Sequence, residues 1–387
     1  MNQPTKIAVI AHALRSAGGL SVGRDLIDGI TRIAPENKYL FLIPEGLGYE
    51  ALCERVPNAE IHALQSMNFA KRIWRDRFTT PKIIKSFKPD AVLALDSSLG
   101  LVNPPSPQAI VFYAAQLLYP DSHFGPRTFK DKIRHNYLKR HFIKELKRTQ
   151  LVFCQTEVMK TRLKDIYNFN EKIMVAGPSV PDSMRQIPKD IPTPTAFEGH
   201  ENQLKLFCPA RYYPHKNLEI LTELFSQFPD ELSNVTVFIT LTADHHPNAA
   251  KLLAKIDRLN LRNKIVNLGH IPYEEIGSYY RHSDALFMPS LLESFSTTYV
   301  EAMAAGLPIL TSDLDFAHSA CGDAAEYFNP FDPASVQNSI VRFMNDHARQ
   351  TELAQLGEQK MQSEITTWDD IANTVIDNVI QIAVGNT

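Results

Sequence analysis

The chain has 387 residues, of which 44% are hydrophobic and 21% are charged. This composition is typical of a folded globular protein and excludes a disordered, collagen-like or coiled-coil chain, and the length predicts two domains. No apolar run reaches about 18 residues and the first apolar run is short, so neither a transmembrane helix nor a signal peptide is expected. The four cysteines lie far apart, which favours buried thiols in a cytoplasmic protein over disulfide bridges or a metal site.

Charge is divided unevenly along the chain. Residues 1–200 contain 28 Lys and Arg against 19 Asp and Glu, although the whole chain has a net charge of −3. The positive excess lies in residues 71–88, which include Trp74, and in residues 127–148. No nucleic-acid-binding signature accompanies it, so no nucleic acid partner is expected. The two stretches suit an anionic acceptor or peripheral contact with the anionic inner face of a membrane, and a solvated helix face is the alternative.

Short apolar strands alternate with amphipathic helices, which predicts doubly wound parallel sheets covered by helices on both faces. The predicted strands are Ile7–Ala11, Tyr39–Ile43, Ala91–Leu95, Ile110–Tyr113, Leu151–Cys154, Ile173–Ala176, Leu204–Pro209, Val235–Leu241, Lys264–Leu268, Ala285–Met288 and Pro308–Thr311. A first helix is predicted after Gly18 and Gly19, and further helices are predicted at 130–146, 217–228, 249–259, 274–281 and 298–305.

A proline-rich stretch without periodicity predicts a linker at 186–202. It separates an N-terminal Rossmann-like domain, 1–185, from a C-terminal Rossmann-like domain that ends at 367. Ligands bind at the carboxyl ends of strands in such sheets, so a ligand-binding cleft is expected between the two domains.

A helix is predicted to begin after the strand Ala285–Met288, near Thr298. Its free N–H groups and positive dipole end form an anion site. Glu293 precedes this helix and Glu301 lies within it, so the first could bind sugar hydroxyls and the second the diol of a ribose. The structural alternative is a capping box formed by Thr298 and Glu301, in which Glu301 only satisfies a backbone N–H.

A second candidate site follows the strand Leu204–Pro209. Arg211 and Lys216 lie five residues apart before a helix that is predicted to start at Asn217. A guanidinium fork and a compact ammonium could together hold a diphosphate without a metal. The alternative is a surface turn with two solvated cations.

Taken together, Glu293-x7-Glu301, Arg211-x4-Lys216-Asn217 and Gly18-Gly19 resemble the retaining glycosyltransferases of family 4, which have the GT-B fold. The resemblance extends over essentially the whole chain. It implies transfer of a hexose-type sugar from a nucleotide diphosphate sugar to a glycan or lipid-linked acceptor in bacterial cell-surface polysaccharide or lipopolysaccharide synthesis. It also implies a nucleotide-sugar-binding domain at 203–367 and a final helix, 368–387, that crosses back onto the acceptor-binding first domain.

The resemblance assigns roles by position. Arg211 and Lys216 would neutralise the leaving diphosphate, and Glu293 would hold the donor sugar. The remaining donor-binding groups implied by the resemblance are the N–H groups of Phe295, Ser296 and Thr297, the ribose-binding Glu301, the base-bordering His270 and Ile271, and Gly18 and Gly19, which let the backbone approach the phosphates.

The implied mechanism needs neither a cofactor nor a metal, because preorganised cations and helix N–H groups stabilise the leaving diphosphate. One position departs from the family. Many relatives have a histidine where this chain has Gln116. The amide of Gln116 can bind an acceptor hydroxyl but cannot titrate, so His12 and His123 are alternative acceptor residues.

Two other functions remain open from the sequence. A glycoside hydrolase would also use two carboxylates, but it would ignore nucleoside diphosphates. A non-catalytic two-domain sugar-binding protein would bind sugar without releasing a nucleotide.

Overall fold

A computed structural model describes residues 4–95, 103–177, 179–180, 182–185, 187–188, 190–244 and 246–385. The chain divides into two compact units. The first comprises Met1–Leu118, Thr128–Ser179 and Thr366–Thr387, and the second comprises Tyr119–Arg127 and Val180–Ile365.

The first unit contains a parallel sheet of seven short strands, of which the central ones are apolar and buried. The seven strands are β1 (Lys6–Ile10), β2 (Lys38–Pro44), β3 (Glu60–Leu64), β4 (Ala91–Ala94), β5 (Gln108–Val111), β6 (Leu151–Cys154) and β7 (Lys172–Val175). Their order in the sheet is β3-β2-β1-β4-β5-β6-β7. The central strands have apolar side chains on both faces because helices cover both sides of the sheet.

The second unit contains a parallel sheet of six strands in the order β10-β9-β8-β11-β12-β13. They are β8 (Leu204–Cys208), β9 (Val235–Ile239), β10 (Ile265–Asn267), β11 (Ala285–Met288), β12 (Ile309–Ser312) and β13 (Glu326–Phe328). The strand order reverses between β8 and β11. In open parallel sheets, ligands bind beside the carboxyl ends of the strands at such a reversal.

The helices lie between these strands. They are α1 (Ala17–Ile33), α2 (Glu50–Cys53), α3 (Phe69–Trp74), α4 (Thr80–Phe87), α5 (Phe129–Leu146), α6 (Glu157–Tyr167), α7 (Asp182–Arg185), α8 (Ile220–Gln227), α9 (Pro247–Arg258), α10 (Tyr273–His282), α11 (Thr297–Ala304), α12 (Asp315–Cys321), α13 (Pro333–Asn345), α14 (His347–Glu364) and α15 (Trp368–Val384). A π-helical turn, Arg75–Thr79, joins α3 to α4. None of these helices is both long enough and apolar enough to span a membrane.

The final helix packs within the first unit. Its apolar face joins the core on that side of the first sheet, next to Leu26, Ile27 and Ile30 of α1. Gly29 allows this close approach, because a Cβ atom at that position would lie 2.8 Å from the Cβ atom of Ala372. The end of the chain thus completes the core of the unit with which it begins.

All predicted strands overlap observed strands, but β3 and β13 are missing from the prediction. Both are edge strands with exposed or half-buried positions, so they lack the continuous apolar run that identifies a central strand. Helix α8 begins at Ile220 rather than Asn217, because Pro214–Lys216 form a 3₁₀ turn and Asn217 is left-handed with φ of 55°.

The proline-rich stretch is ordered against the second unit where it is described. Phe197 is buried, and its ring centroid lies 4.5 Å from that of Phe238 in β9. Residues Tyr119–Arg127 also belong to the second unit, whereas the sequence places them in the first domain.

Candidate active site

Two loops of the second unit, one with a predicted site cation and the other with a predicted site carboxylate, follow neighbouring strands. Lys216 follows β8 and Glu293 follows β11, and Leu206 of β8 pairs directly with Ala285 of β11. The loops are joined by a backbone hydrogen bond, in which the N–H of Leu291 donates to the carbonyl oxygen of His215 at 2.7 Å. The reversal of strand order therefore brings together two residues that are 77 positions apart.

Lys216 and Glu293 form a largely buried ion pair. Nζ of Lys216 donates to Oε1 of Glu293 at 2.6 Å, and the side chains are 15% and 10% exposed. Burial alone raises the pKa of the Glu293 carboxyl, but the charge of Lys216 and hydrogen bonds from Lys216 and Ser290 outweigh it, so this pKa is lowered. Burial also lowers the pKa of His215 to about 4. At neutral pH, the local charges are therefore Lys216 and Glu293, with His215 neutral.

The start of α11 has an unusual backbone conformation. Ser296 precedes the helix with φ of 77°, and its side chain makes no capping hydrogen bond to the helix. A positive φ is costly for a residue other than glycine and persists only where the surrounding structure enforces it. Because the Ser296 side chain makes no capping hydrogen bond, it leaves the first N–H groups of α11, beginning at Thr297, uncapped by that residue. An anion site at this helix end requires such uncapped N–H groups.

Glu301 is buried in α11 and does not form a capping box with Thr298. Its Oε2 accepts a hydrogen bond of 2.6 Å from the hydroxyl of Tyr280 in α10. Burial raises the pKa of the Glu301 carboxyl, and the hydrogen bond from Tyr280 lowers it only in part. The capping-box alternative is wrong because Ser296, two residues before Thr298, occupies the N-cap position.

The other predicted donor-binding residues occupy loops at the same edge of the second sheet. Arg211 is exposed between β8 and the 3₁₀ turn, with no hydrogen bond or ion pair to any residue that the structure describes. His270 and Ile271 follow β10, where His270 is exposed and Ile271 half-buried. Phe295 has a buried side chain, so only its backbone is suited to a ligand.

The predicted residues of the first unit lie after β1 and β5. Gly18 and Gly19 form the first turn of α1, and the space beside Gly18 is open, with no atom within 4 Å of a Cβ position. Gln116 lies in a 3₁₀ turn after β5 and is half-buried. Both positions therefore leave polar groups near the carboxyl edge of the first sheet.

His12 is buried and paired with a carboxylate that the sequence does not indicate. Its Nε2 lies 2.9 Å from Oδ1 of Asp76 in the π-helical turn. Burial raises the pKa of Asp76, but the hydrogen bond with His12 and the charges of Arg75 and Arg72 lower it to about 2. Asp76 is therefore ionised at neutral pH, so Nε2–H of His12 donates to it, and the buried Nδ1 has no hydrogen-bond partner among the described residues.

His123 belongs to the second unit. Its ring contacts those of Tyr119, tilted, and Phe331, edge to face, with centroid distances of 5.4 and 5.9 Å. The sequence interpretation as a residue of the first domain does not match this position, because the segment that carries His123 packs on loops of the second sheet.

The sequence of the second unit matches a known family. Residues 194–360 match the family described as glycosyl transferases group 1. This match covers most of the second unit. Among curated relatives, the chain is 26% identical over 218 residues to the O-antigen chain mannosyltransferase RfbU of Salmonella typhimurium, covering 56% of each chain. It is also 21% identical over 330 residues to the alpha-monoglucosyldiacylglycerol synthase of Streptococcus pneumoniae, covering 79% of this chain and 71% of that enzyme.

The aligned segment spans little more than half of the Salmonella relative. Solved glycosyltransferase structures match nearly the whole chain in fold. Sucrose-phosphate synthase from Thermosynechococcus elongatus matches with a TM-score of 0.74 at 14% identity, and the match covers 98% of this chain and 100% of that chain. HepE from Anabaena in complex with UDP and glucose matches with a TM-score of 0.67 at 14% identity, covering 97% and 100%. The predicted GT-B fold class is therefore confirmed.

Sequence reasoning missed Asp76, Tyr280 and His215, which are partners or neighbours of the predicted site residues. Asp76 is 64 positions from His12, and Tyr280 is 21 positions from Glu301. No local motif links such pairs. Tyr280 sits on the buried face of an amphipathic helix and reads as an ordinary core residue.

Proposed function

We propose that this protein is a metal-independent, retaining hexosyltransferase that uses a nucleotide diphosphate sugar as donor. The observation that carries the proposal is the Lys216–Glu293 pair beside the uncapped start of α11, at the reversal of strand order in the second sheet. A cation and helix N–H groups at one point suit an anionic diphosphate. Solved neighbours that carry UDP and glucose support a nucleotide-sugar donor.

The geometry of one side chain supports each proposed donor-binding role. Glu293, ionised and held by Lys216, can accept hydrogen bonds from sugar hydroxyls. Glu301, fixed by Tyr280 through Oε2, retains Oε1 for a ribose hydroxyl. Arg211 has an exposed guanidinium without a protein partner among the described residues, so it is free to close on the diphosphate.

The chemical step is charge stabilisation. The bond between the anomeric carbon and the diphosphate oxygen breaks, and the acceptor hydroxyl oxygen bonds to the same face of that carbon. The hydroxyl proton passes to an oxygen of the departing diphosphate, so a nucleoside diphosphate leaves. Lys216, Arg211 and the N–H groups of α11 stabilise the charge that develops on this leaving group, and no protein base is needed.

We further propose that the acceptor belongs to a glycan or lipid-linked glycan and is bound by the first unit. The curated relatives include O-antigen chain mannosyltransferases from Salmonella typhimurium and Escherichia coli, which supports a role in polysaccharide synthesis. In the first unit, Gln116, His12 and the start of α1 supply polar groups after β5 and β1.

An anionic membrane surface is a further proposed partner of the first unit. Phe129 and Ile133 of α5 are 77% and 52% exposed, and with Arg140 they lie on one face of the helix, opposite buried Phe142 and Glu145. Trp74, which is 62% exposed, and Phe78 lie on the α3 segment and its π-helical turn. Exposed aromatic side chains among Lys and Arg are typical of helices that bind anionic lipid.

Nucleoside diphosphate release tests the proposed activity. The protein is incubated with UDP-, GDP- and dTDP-hexoses, a lipid-linked glycan acceptor and a chelator. We expect acceptor-dependent release from one donor class, with the donor's anomeric configuration kept in the product. Release from none of them, or dependence on an added divalent cation, would contradict the proposal.

A further inference from the structure

The segment Tyr119–Arg127, here called the strap, connects β5 to α5 in the chain but packs on the second unit. Phe124 within it is buried, and the guanidinium of Arg127 lies over the Phe124 ring at 4.1 Å. Arg127 also pairs with Asp121 at 3.2 Å. These internal contacts give the nine residues a fixed shape of their own.

The strap contacts segments that directly follow four of the six strands of the second sheet. The hydroxyl of Tyr119 donates to Oδ1 of Asp315, after β12, at 2.9 Å. His123 contacts Phe331, which follows β13. Asn248, after β9, donates to the carbonyl oxygen of Pro126 at 3.2 Å. All of these strands are parallel, so the strap lies across their carboxyl edge.

The fourth contact is with the turn that carries Lys216. Gly125 has φ of 51°, and a Cβ atom there would overlap the carbonyl oxygen of Pro214 and lie 3.1 Å from its carbonyl carbon. The Pro214 oxygen accepts the hydrogen bond that closes this turn, from the N–H of Asn217 at 3.4 Å. Any side chain at position 125 would therefore displace the backbone of Pro214. Pro214 directly precedes His215 and lies two residues before Lys216.

We propose that the strap is part of the donor site and that Gly125 is a positioning residue, which holds the Pro214–Lys216 turn where Lys216 meets the diphosphate. This inference rests on the proposed function. The close contact between Gly125 and the Pro214 carbonyl group fixes the Pro214 end of the turn. The hydrogen bond from the N–H of Leu291 to the carbonyl oxygen of His215 fixes its middle. The 2.6 Å contact between Lys216 and Glu293 depends on both constraints.

A pair of glycine variants tests the inference on the full chain. Gly125→Ala introduces both a left-handed alanine and the overlap with Pro214. Gly199→Ala is the matched control, because Gly199 also has a positive φ, of 81°, but has no atom within 4 Å of a Cβ position. Affinities for UDP, GDP and dTDP are measured by calorimetric titration, and thermal unfolding is measured without nucleotide.

We expect Gly125→Ala to weaken binding of the preferred diphosphate about tenfold or more, because small displacements of a charged group in a binding site have large effects. Gly199→Ala should bind within about twofold of the unaltered protein, since it adds backbone strain without a contact. A purely structural role would lower the unfolding temperature of Gly125→Ala and leave its affinity unchanged. That result would overturn the inference.

A milder pair decides the matter if Gly125→Ala does not fold. Tyr119→Phe keeps the strap's ring contacts but removes its hydrogen bond to Asp315, and we expect about threefold weaker diphosphate binding, in line with the loss of one hydrogen bond. Tyr327→Phe removes a comparable hydrogen bond, to the carbonyl oxygen of Gly322 at 2.6 Å, away from the strap, and should bind normally. Equal affinities in the two variants would overturn the inference. Failure of the unaltered protein to bind any diphosphate would instead contradict the proposed function itself.

Discussion

Nζ of Lys216 lies 2.6 Å from Oε1 of Glu293, across the point where the strand order of the second sheet reverses. A second Lys–carboxylate pair in the same unit provides a comparison. Lys205 and Asp284 are 3.0 Å apart, but they lie at the amino ends of β8 and β11, away from α11. The two pairs share their chemistry and differ in their position in the sheet.

Lys216→Ala should lower sugar transfer by about 10²–10³-fold, because it removes a preorganised cation from the leaving diphosphate. Glu293→Gln should lower it as well, since the neutral amide is a weaker acceptor for sugar hydroxyls and no longer fixes Lys216. Initial rates at saturating acceptor check both. Lys205→Ala should transfer at a normal rate, and near-normal rates in Lys216→Ala would contradict the assigned role.

Tyr280→Phe should weaken nucleoside diphosphate binding several-fold, because Glu301 loses the hydroxyl that orients it. Glu301→Gln should reduce the preference for the bound ribonucleoside diphosphate over its 2′-deoxy form, since a carboxylate that binds the ribose diol distinguishes the two. Titration of both variants with both nucleotides measures this. An unchanged preference in Glu301→Gln would show that Glu301 is only a core residue.

Stability should fall as the pH falls from about 6.5 to about 4, because His215 stays neutral in the folded chain until its pKa of about 4. The unfolded chain takes up a proton in this window, so the free energy of unfolding decreases by up to about 1.4 kcal/mol per pH unit for this group. His215→Gln should show a shallower slope in urea unfolding at several pH values. A slope in His215→Gln equal to that of the unaltered protein would contradict this assignment.

A double variant, Trp74→Ser with Phe129→Ser, should lose binding to vesicles of phosphatidylglycerol and phosphatidylethanolamine. Both side chains are exposed among basic residues, so they supply apolar area that the lipid interface would cover. Co-sedimentation at low salt measures binding. Leu259→Ser removes an exposed apolar side chain of the second unit and should bind as before. No sedimentation of the unaltered protein would leave the solvated-face alternative as the correct one.

The central strands could be predicted from the sequence because burial on both faces demands continuous apolar runs, as in Val235–Ile239. The edge strand β3 could not, since its half-exposed positions follow no such rule. Lys216 and Glu293 could be proposed because each follows a predicted strand. Their pairing, the Tyr280–Glu301 bond and the strap contact at Gly125 could not be predicted, because they depend on strand order and on backbone geometry that no local pattern encodes.

A crystal structure of the protein with the nucleoside diphosphate that it binds tests the central claim most directly. We expect the diphosphate oxygens within about 2.7–3.1 Å of Nζ of Lys216 and of the first N–H groups of α11, as charge-assisted hydrogen bonds require. A diphosphate bound away from the carboxyl ends of β8 and β11, with Lys216 and Glu293 still paired and untouched, would contradict the account.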